Sequence, residues 1–259
     1  MSQSLAPGPV AAEPIDPSTP GARPPHADVD AGPYPHTLAA AWFIARKDLV
    51  VELRTRSAFL SAAVFTVLAA AIFFYTWDPS AVSASDLAPG VIWVIFSFSG
   101  MLGLHRSFAA EVADRGIDGL LAAPISRESV FLGKAAANLV FVLGVQVVAV
   151  PAVLLFYNVE VSWGGAVLIA GVTVLAAIGL VVVGTLFSAM AVNTRLAELL
   201  LPVLTLPFLV PVVVAAAQAT AIILGGHPAN AATWVKLLVC YDIVFAIACT
   251  LAYPFTIER

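Results

Sequence analysis

Charge is scarce in this 259-residue chain, since aspartate, glutamate, lysine and arginine together account for 11% of it. A soluble globular protein has about a quarter of its residues charged, so the composition excludes that class. Cysteine and histidine are also rare, with two and four residues. Two cysteines inside a predicted span define no redox compartment, and packing is their default role. The chain is 61% hydrophobic, which is typical of a membrane protein.

Catalytic and nucleotide-binding motifs are missing as well. Gly133-Lys134 is followed by alanine and lacks the glycine loop that cradles phosphates in a P-loop. An intramembrane enzyme would need an acid dyad, a serine–histidine arrangement or H-E-x-x-H, and none occurs. Cys240 and Cys249 lie nine positions apart on one predicted helix, hence on opposite faces, which forbids chelation by the pair. We therefore expect a non-enzyme with no catalytic residues and no metal site.

Six long apolar stretches follow residue 56. A helix needs about 20 apolar residues to cross a hydrocarbon core about 30 Å thick. Backbone groups in lipid must pair within their own segment, so we predict an all-α integral membrane protein with six transmembrane helices. The stretches are Ser57–Thr76, Leu87–Leu104, Val130–Tyr157, Trp163–Ala191, Leu199–Leu224 and Val235–Phe255.

The orientation follows from the basic residues. Eleven of the twelve lysines and arginines fall before the first span, around the loops after the second and fourth spans, or at the chain end. Lys236, near the start of the sixth span, is the exception. Because basic residues collect on the cytoplasmic side, we predict a multi-pass protein of the cytoplasmic (inner) membrane with both termini in the cytoplasm.

Two segments precede the first span. Residues 1–36 hold nine of the 18 prolines and no apolar run, which predicts a disordered tail without an assigned role. Residues 37–56 predict an amphipathic helix in the membrane interface, with an ordinary basic flank as the alternative. Residues 57–259 then form the six-span membrane domain. The apolar stripe of the predicted interfacial helix comprises Leu38, Ala41, Trp42, Ala45, Leu49 and Leu53, whereas Phe43 and Ile44 fall off it.

A charged island, His105–Lys134, separates the second and third spans. Glu111, Asp114 and Asp118 recur at helical spacing on one face. Glycines within the island favour a short helix, a break and another turn. After Pro124, Ser126 can cap the next helix, with Glu128 in its first turn. The charge pattern alone fits two interpretations equally well. One is a short acidic helix that a soluble motor protein could bind, and the other is a plain solvated loop.

Four polar residues interrupt the spans. An unpaired charge in a span costs about 2.5–3.5 kcal/mol on the insertion scale, so ionisable groups there are functional candidates. Asp242 lies six residues beyond Lys236, where it could still reach interfacial water, and a hydrogen bond between helices is an equal alternative. The fourth span also has small residues suited to close packing. The polar residues are Asn138, Gln146, Gln218 and Asp242, and the small ones are Gly171, Gly179, Gly184 and Ser188.

Several motifs in order resemble one family from about Trp42 to the end of the chain. The island resembles the first cytoplasmic loop of ABC-2-type permeases, and the closest resemblance is to the CcmB-type permease subunit of the cytochrome c maturation haem exporter. The matching pieces are Arg46-Lys-Asp-Leu49, Gly103-Leu-His-Arg-Ser-Phe108, Glu111 through Arg127, Phe131-Leu-Gly-Lys134, Asn193-Thr-Arg195 and Tyr241-Asp-Ile-Val-Phe245.

The resemblance implies a six-span permease that works as a homodimer with a separate ABC ATPase subunit. ATP would bind to that partner, which would dock on a cytoplasmic coupling loop at residues 105–130. Further partners would be a multi-span haem-handling protein and a small single-span protein, with no nucleic acid. The expected ATPase-coupling residues are Glu111, Asp114, Asp118, Gly119, Leu120, Leu121, Pro124 and Arg127.

The implied substrate is haem, made available outside the cytoplasmic membrane. We expect a partner to hold it, because no haem-binding signature surrounds any of the four histidines, His26, His36, His105 and His227. Two alternatives stay open, an ABC-2 exporter of a lipid, polysaccharide or drug, and a non-transporting scaffold that tethers an ATPase.

Overall fold

A computed structural model describes residues 37–114, 126–191 and 197–256. These residues form seven α-helices and one 3-10 turn, with no strand among them. Six helices are long and apolar enough to cross a membrane, which confirms the predicted six-span, all-α class. The elements are α1 Thr37–Thr55, α2 Ser57–Thr76, α3 Ala84–Asp114, α4 Arg127–Phe156, α5 Trp163–Ala191, α6 Ala197–Leu224, the 3-10 turn Pro228–Ala231 and α7 Ala232–Thr256.

Two spans, α2 and α5, have the predicted bounds, and the other four begin before the apolar runs that predicted them. α4 begins at Arg127 rather than Val130, because Ser126 caps it ahead of the first apolar residue. α3 begins at Ala84 and continues to Asp114. Hydropathy detects the part of a helix that lies in lipid, whereas capping groups decide where the helix begins. The predicted disordered tail, residues 1–36, lies outside the described residues.

The core of the bundle lies where α3 packs against α4, α5 and α6. Trp93 and Phe96 of α3 are fully buried, and their rings lie 5.0 Å apart. The indole N–H of Trp93 donates to the hydroxyl of Thr220 on α6 at 3.0 Å. A buried polar group without a partner is costly, so this bond fixes one register between α3 and α6.

Two spans leave long apolar surfaces uncovered. Leu60 and Val64 on α2 are exposed, as are Ile243, Ile247 and Leu251 on α7. Lipid tails are as apolar as these side chains, so such surfaces can face the bilayer or another membrane segment. The bundle therefore keeps its largest side chains inside around α3 and presents α2 and α7 at its periphery.

The junction of α1 and α2 is a single residue. Arg56 has the left-handed backbone conformation, with φ of 54°, which ends one helix before the next begins. The carboxylate of Glu52 accepts a hydrogen bond from the backbone N–H of Phe59, at 3.1 Å. That N–H is one of the donors left open at a helix start. An acidic side chain from α1 thus caps the first span.

The apolar stripe predicted for α1 is divided between exposed large residues and packed small ones. Leu38 and Trp42 are 77% and 66% exposed, whereas Ala41, Ile44 and Ala45 are buried. The buried face of α1 lies against α4. The placement of α1 in the membrane interface stays a prediction. Small residues allow two helices to approach closely, and large apolar residues are stable facing lipid. The more hydrophobic face of α1 therefore need not face the protein.

Candidate functional site

The charged island lies between the end of α3 and the start of α4. The backbone of α3 is helical without interruption through Asp114, so Glu111 and Asp114 lie on a continuation of the second span. Helical rise places Asp114 about 15 Å beyond Leu104, the last residue of that span. The other predicted coupling residue in the described part is Arg127, the first residue of α4. Asp118, Gly119, Leu120, Leu121 and Pro124 lie outside the described residues.

The start of α4 is capped as the sequence predicted. The hydroxyl of Ser126 accepts from the backbone N–H of Ser129 at 3.2 Å, and Glu128 lies in the first turn. The cap satisfies one open N–H group, and the acidic side chain complements the positive end of the helix dipole. This end of the island is thus a well-defined helix start.

Arg127 connects the island to the last helix of the chain. Its guanidinium Nη1 donates to the backbone carbonyl of Pro254, near the end of α7, at 3.2 Å. Carbonyls in the final turn of a helix lack helical partners and carry the negative end of its dipole. One turn further into α4, the ring of Phe131 packs against the ring of Tyr253 at 5.0 Å. α4 and α7 are therefore joined at the island end by a charged and an aromatic contact.

Gly133 lets α1 approach α4 closely. A Cβ added at Gly133 would lie 2.7 Å from the carbonyl oxygen of Ala41 and 2.8 Å from Cβ of Ile44. The first of these atoms belongs to the backbone and cannot rotate away. The glycine of the Phe131-Leu-Gly-Lys134 motif therefore serves packing of the N-terminal helix.

Lys134 is 2% exposed although it is charged. Its ammonium Nζ lies 3.4 Å from the carboxylate Oδ2 of Asp48 on α1, and Lys47 lies 3.0 Å from the other carboxylate oxygen. Removing a charge from water costs several kcal/mol unless a partner and good geometry offset it. The pair holds α1 against α4 in one register.

The Asp48–Lys134 pair escaped the sequence reasoning, which placed Lys134 in a charged island open to a partner. Asp48 and Lys134 are 86 positions apart, so no local pattern connects them. One signal was available. Asp48 and Glu52 are spaced by four residues and share a face with Ala41 and Ala45, whereas the basic residues of α1 point elsewhere.

The polar residues of the spans have different surroundings. The amide of Asn138 donates to the hydroxyl of Thr185 on α5 at 3.3 Å, which is a hydrogen bond between helices. Gln218 is exposed. Asp242 is 7% exposed, and neither carboxylate oxygen has a hydrogen-bond partner among the described residues. The expectation that Asp242 reaches interfacial water is therefore wrong, because the residue faces Gly179 inside the bundle.

The fourth span, α5, uses its small residues in part as expected. A Cβ added at Gly179 would lie 2.9 Å from a carboxylate oxygen of Asp242, and one at Gly184 would lie 2.5 Å from Cδ1 of Leu104. Nothing lies within 4 Å of the corresponding position at Gly171. Two of the three glycines thus permit close helix packing.

Metal-ligating side chains do not converge in the described part of the chain, where no group of three or more histidine, cysteine, aspartate or glutamate residues could hold an ion. Cys240 is exposed and Cys249 is buried, as expected for opposite faces of α7.

The contacts beside the island connect three helices. The middle of α1 and the end of α7 contact the first turns of α4 beside the island, so a displacement of α4 would be passed to both neighbours.

Comparison with known proteins gives a consistent result. The family described as CcmB protein matches residues 39–259. Heme exporter protein B of Paracoccus denitrificans is 30% identical over 176 residues, covering 67% of this chain and 78% of the relative. Heme exporter protein B of Rhodobacter capsulatus is 29% identical over 175 residues, with 66% and 78% covered. The protein of the same name from Bradyrhizobium diazoefficiens is 28% identical over 186 residues, with 70% and 82% covered.

Proposed function

The chain belongs to the CcmB protein family, and we propose on this basis that it is the permease subunit of a haem exporter that serves cytochrome c maturation. It is a multi-pass membrane protein and a transporter component, with six helices long enough to span the bilayer. The observation that carries the proposal is the family match over residues 39–259, since the fold alone would suit many exporters.

A separate ABC ATPase subunit drives transport and docks on residues 105–130. The coupling residues are Glu111, Asp114, Asp118, Gly119, Leu120, Leu121, Pro124 and Arg127. The support lies in the described ends of this segment. α3 reaches Asp114 as one continuous helix, while α4 starts at a firm cap and is joined to α1 and α7. A displacement of either described end of the segment would therefore be transmitted to the bundle by a helix.

The remaining parts of the proposal concern the surroundings of the chain. The protein lies in the cytoplasmic (inner) membrane with both termini in the cytoplasm, as the distribution of lysine and arginine indicates. It works as a homodimer together with a multi-span haem-handling protein and a small single-span protein. ATP binds to the partner ATPase, and haem is cargo held by a partner. This chain supplies the pathway and the docking segment.

The test is charge neutralisation of the docking segment in the complete exporter complex. We expect Glu111→Gln, Asp114→Asn and Asp118→Asn, combined in one variant, to keep the assembled complex but to lose holo-cytochrome c formation by at least tenfold. The measurements are co-purification of the ATPase and the yield of haem-containing cytochrome c. A complex that assembles and matures cytochrome c normally would contradict docking at this segment.

A matched control neutralises acidic residues at the other end of the bundle. Asp78→Asn and Glu160→Gln change exposed side chains in the loops after α2 and α4. The hydroxyl and the backbone N–H of Ser80 both donate to Asp78 and hold the pKa of its carboxyl below the usual range. Asp78 therefore carries its charge at neutral pH, and its loss there should leave holo-cytochrome c unchanged. A membrane scaffold would tolerate both sets of changes equally. Loss of holo-cytochrome c and of nothing else on deletion separates haem export from export of another substrate.

A further inference from the structure

Charge is divided between the two sides of α1. The helix contains two acidic residues, and both bond to other helices of the bundle. Asp48 faces Lys134 on α4, and Glu52 accepts from the backbone N–H of Phe59 at the start of α2. The acidic charge of α1 is therefore used on the side that packs against the protein.

The basic residues of α1 lie on its other side. Arg46, Lys47 and Arg54 are all exposed. Lys47 also contacts Asp48, but the ion pairs among the described residues include neither arginine. Arg46 and Arg54 are eight positions apart, so the helix places them within about 80° around its axis and about 12 Å apart along it. The outer side of α1 is thus a positive surface, whose two arginines have no counter-charge in the described part of the chain.

Large apolar side chains lie beside these arginines. Leu38, Trp42 and Phe43 are between 63% and 77% exposed, and Val50 is also exposed. A group of exposed apolar residues next to cations marks a contact surface rather than a face that stays in water. Tryptophan is enriched at the headgroup level of a bilayer, and a helix that combines basic with bulky apolar residues lies in that layer. The composition of this surface therefore favours a lipid partner.

The neighbours of α1 support the same partner. A single residue, Arg56, separates α1 from α2. Because α2 has 20 residues, the length that crosses one hydrocarbon core, its start lies at the headgroup level. The middle of α1 lies against Gly133 and Lys134, about two turns from the start of α4. Headgroups at this level can cover both the arginines and the apolar residues, whereas a water-soluble partner would have to enter the headgroup layer to do the same.

We propose that the outer side of α1 binds anionic phospholipids, with Arg46 and Arg54 each bonded to the phosphate of one lipid. A guanidinium offers several N–H donors in a fork that matches phosphate oxygens. The separation of about 12 Å along the helix suits two neighbouring lipids better than a single phosphate. A zwitterionic headgroup carries its own cation, whereas an anionic one supplies the net negative charge that this surface lacks. Binding of anionic lipid does not depend on haem export.

The test measures the lipid preference of the full-length chain in detergent micelles by native mass spectrometry. Dioleoyl phosphatidylglycerol and dioleoyl phosphatidylcholine are added in equal amounts, and the bound lipids are counted. We expect the unmodified chain to prefer phosphatidylglycerol by at least about tenfold, because each arginine near anionic lipid contributes about fivefold. Arg46→Gln combined with Arg54→Gln should reduce that preference to about twofold or less. Both side chains are exposed, so this glutamine variant should keep its fold.

Two further variants separate this site from a general effect of charge. Arg46→Lys combined with Arg54→Lys keeps both charges and should keep a preference of at least about fivefold. Lys236→Gln is the control, because it removes an exposed cation at the start of α7, and it should leave the preference unchanged. A loss in Lys236→Gln as large as in the glutamine variant would mean that lipid responds to the net charge of the protein, which would overturn the proposal.

The glutamine variant decides between lipid and protein as the partner of this surface. An unchanged preference for phosphatidylglycerol in that variant would overturn the proposal. If the variant also lost the co-purifying ATPase, the surface would belong to an acidic protein partner instead. Holo-cytochrome c formation, followed in parallel, reports on export alone.

Discussion

The two halves of α4 differ in whether their buried polar side chains have partners. In the half beside the charged island, Lys134 faces Asp48 and Asn138 bonds to Thr185, while Gly133 lies against the backbone of α1. In the other half, neither amide atom of Gln146 has a hydrogen-bond partner among the described residues. Both halves belong to one uninterrupted helix. A span can thus be joined to its neighbours by polar contacts at one end and lack such contacts at the other.

This contrast has a physical basis. Close packing with satisfied polar groups resists deformation, because interdigitated side chains transmit displacement. A buried amide without a partner lacks the hydrogen bond that would offset its removal from water.

The largest expected effect follows from breaking the buried ion pair. Asp48→Asn removes the carboxylate that faces Lys134 and should lower the free energy of unfolding by about 3 kcal/mol. The double variant Asp48→Asn, Lys134→Met should recover most of that loss, since no buried charge then remains at this contact. Unfolding in mixed detergent micelles measures both values. Lys47→Met is the control, because Lys47 is 53% exposed, and it should cost less than about 1 kcal/mol. Equal losses in the single and double variants would contradict the assignment.

The close contact at Gly133 gives the next largest effect. Gly133→Ala would place a methyl group 2.7 Å from the carbonyl oxygen of Ala41, so α1 must shift, at a cost of about 1–3 kcal/mol. Gly171→Ala on α5 is the matched control, because nothing lies within 4 Å of its added methyl group. Helix propensity should make the control neutral or stabilising by up to about 1 kcal/mol. The same unfolding assay compares them, and a destabilised control with an unaffected Gly133→Ala would refute the packing argument.

These contacts indicate which parts of the molecule local sequence can predict. The six spans and the cap at Ser126 followed from patterns within about 30 residues, and the structure confirms both. The pairing of Asp48 with Lys134 did not follow, because the two residues meet through folding across 86 positions. The packed face of α1 could not be predicted, because hydrophobicity does not separate lipid from protein contacts inside a membrane. Docking of an ATPase on residues 105–130 rests on family resemblance and stays a prediction.

A smaller effect is expected at Asn138. Asn138→Leu removes the hydrogen bond to Thr185 and leaves that buried hydroxyl with one contact fewer. We expect the free energy of unfolding to fall by about 1 kcal/mol, since hydrogen bonds between membrane helices average about 0.6 kcal/mol. A double-mutant cycle with Thr185→Val isolates the pair energy. A coupling energy of zero would mean that the two side chains do not interact.

The smallest effect should have the opposite sign. Gln146→Leu also replaces an amide with leucine, but in the other half of α4. There the amide has no hydrogen-bond partner among the described residues. In detergent micelles we expect it to raise the free energy of unfolding by about 0.5–1 kcal/mol, because leucine removes an unsatisfied polar group. The gain lies at the low end for such a group because the unfolded chain in a micelle also leaves the amide poorly solvated. If Gln146→Leu destabilises the protein as Asn138→Leu does, the two halves of α4 are alike and the contrast between them fails.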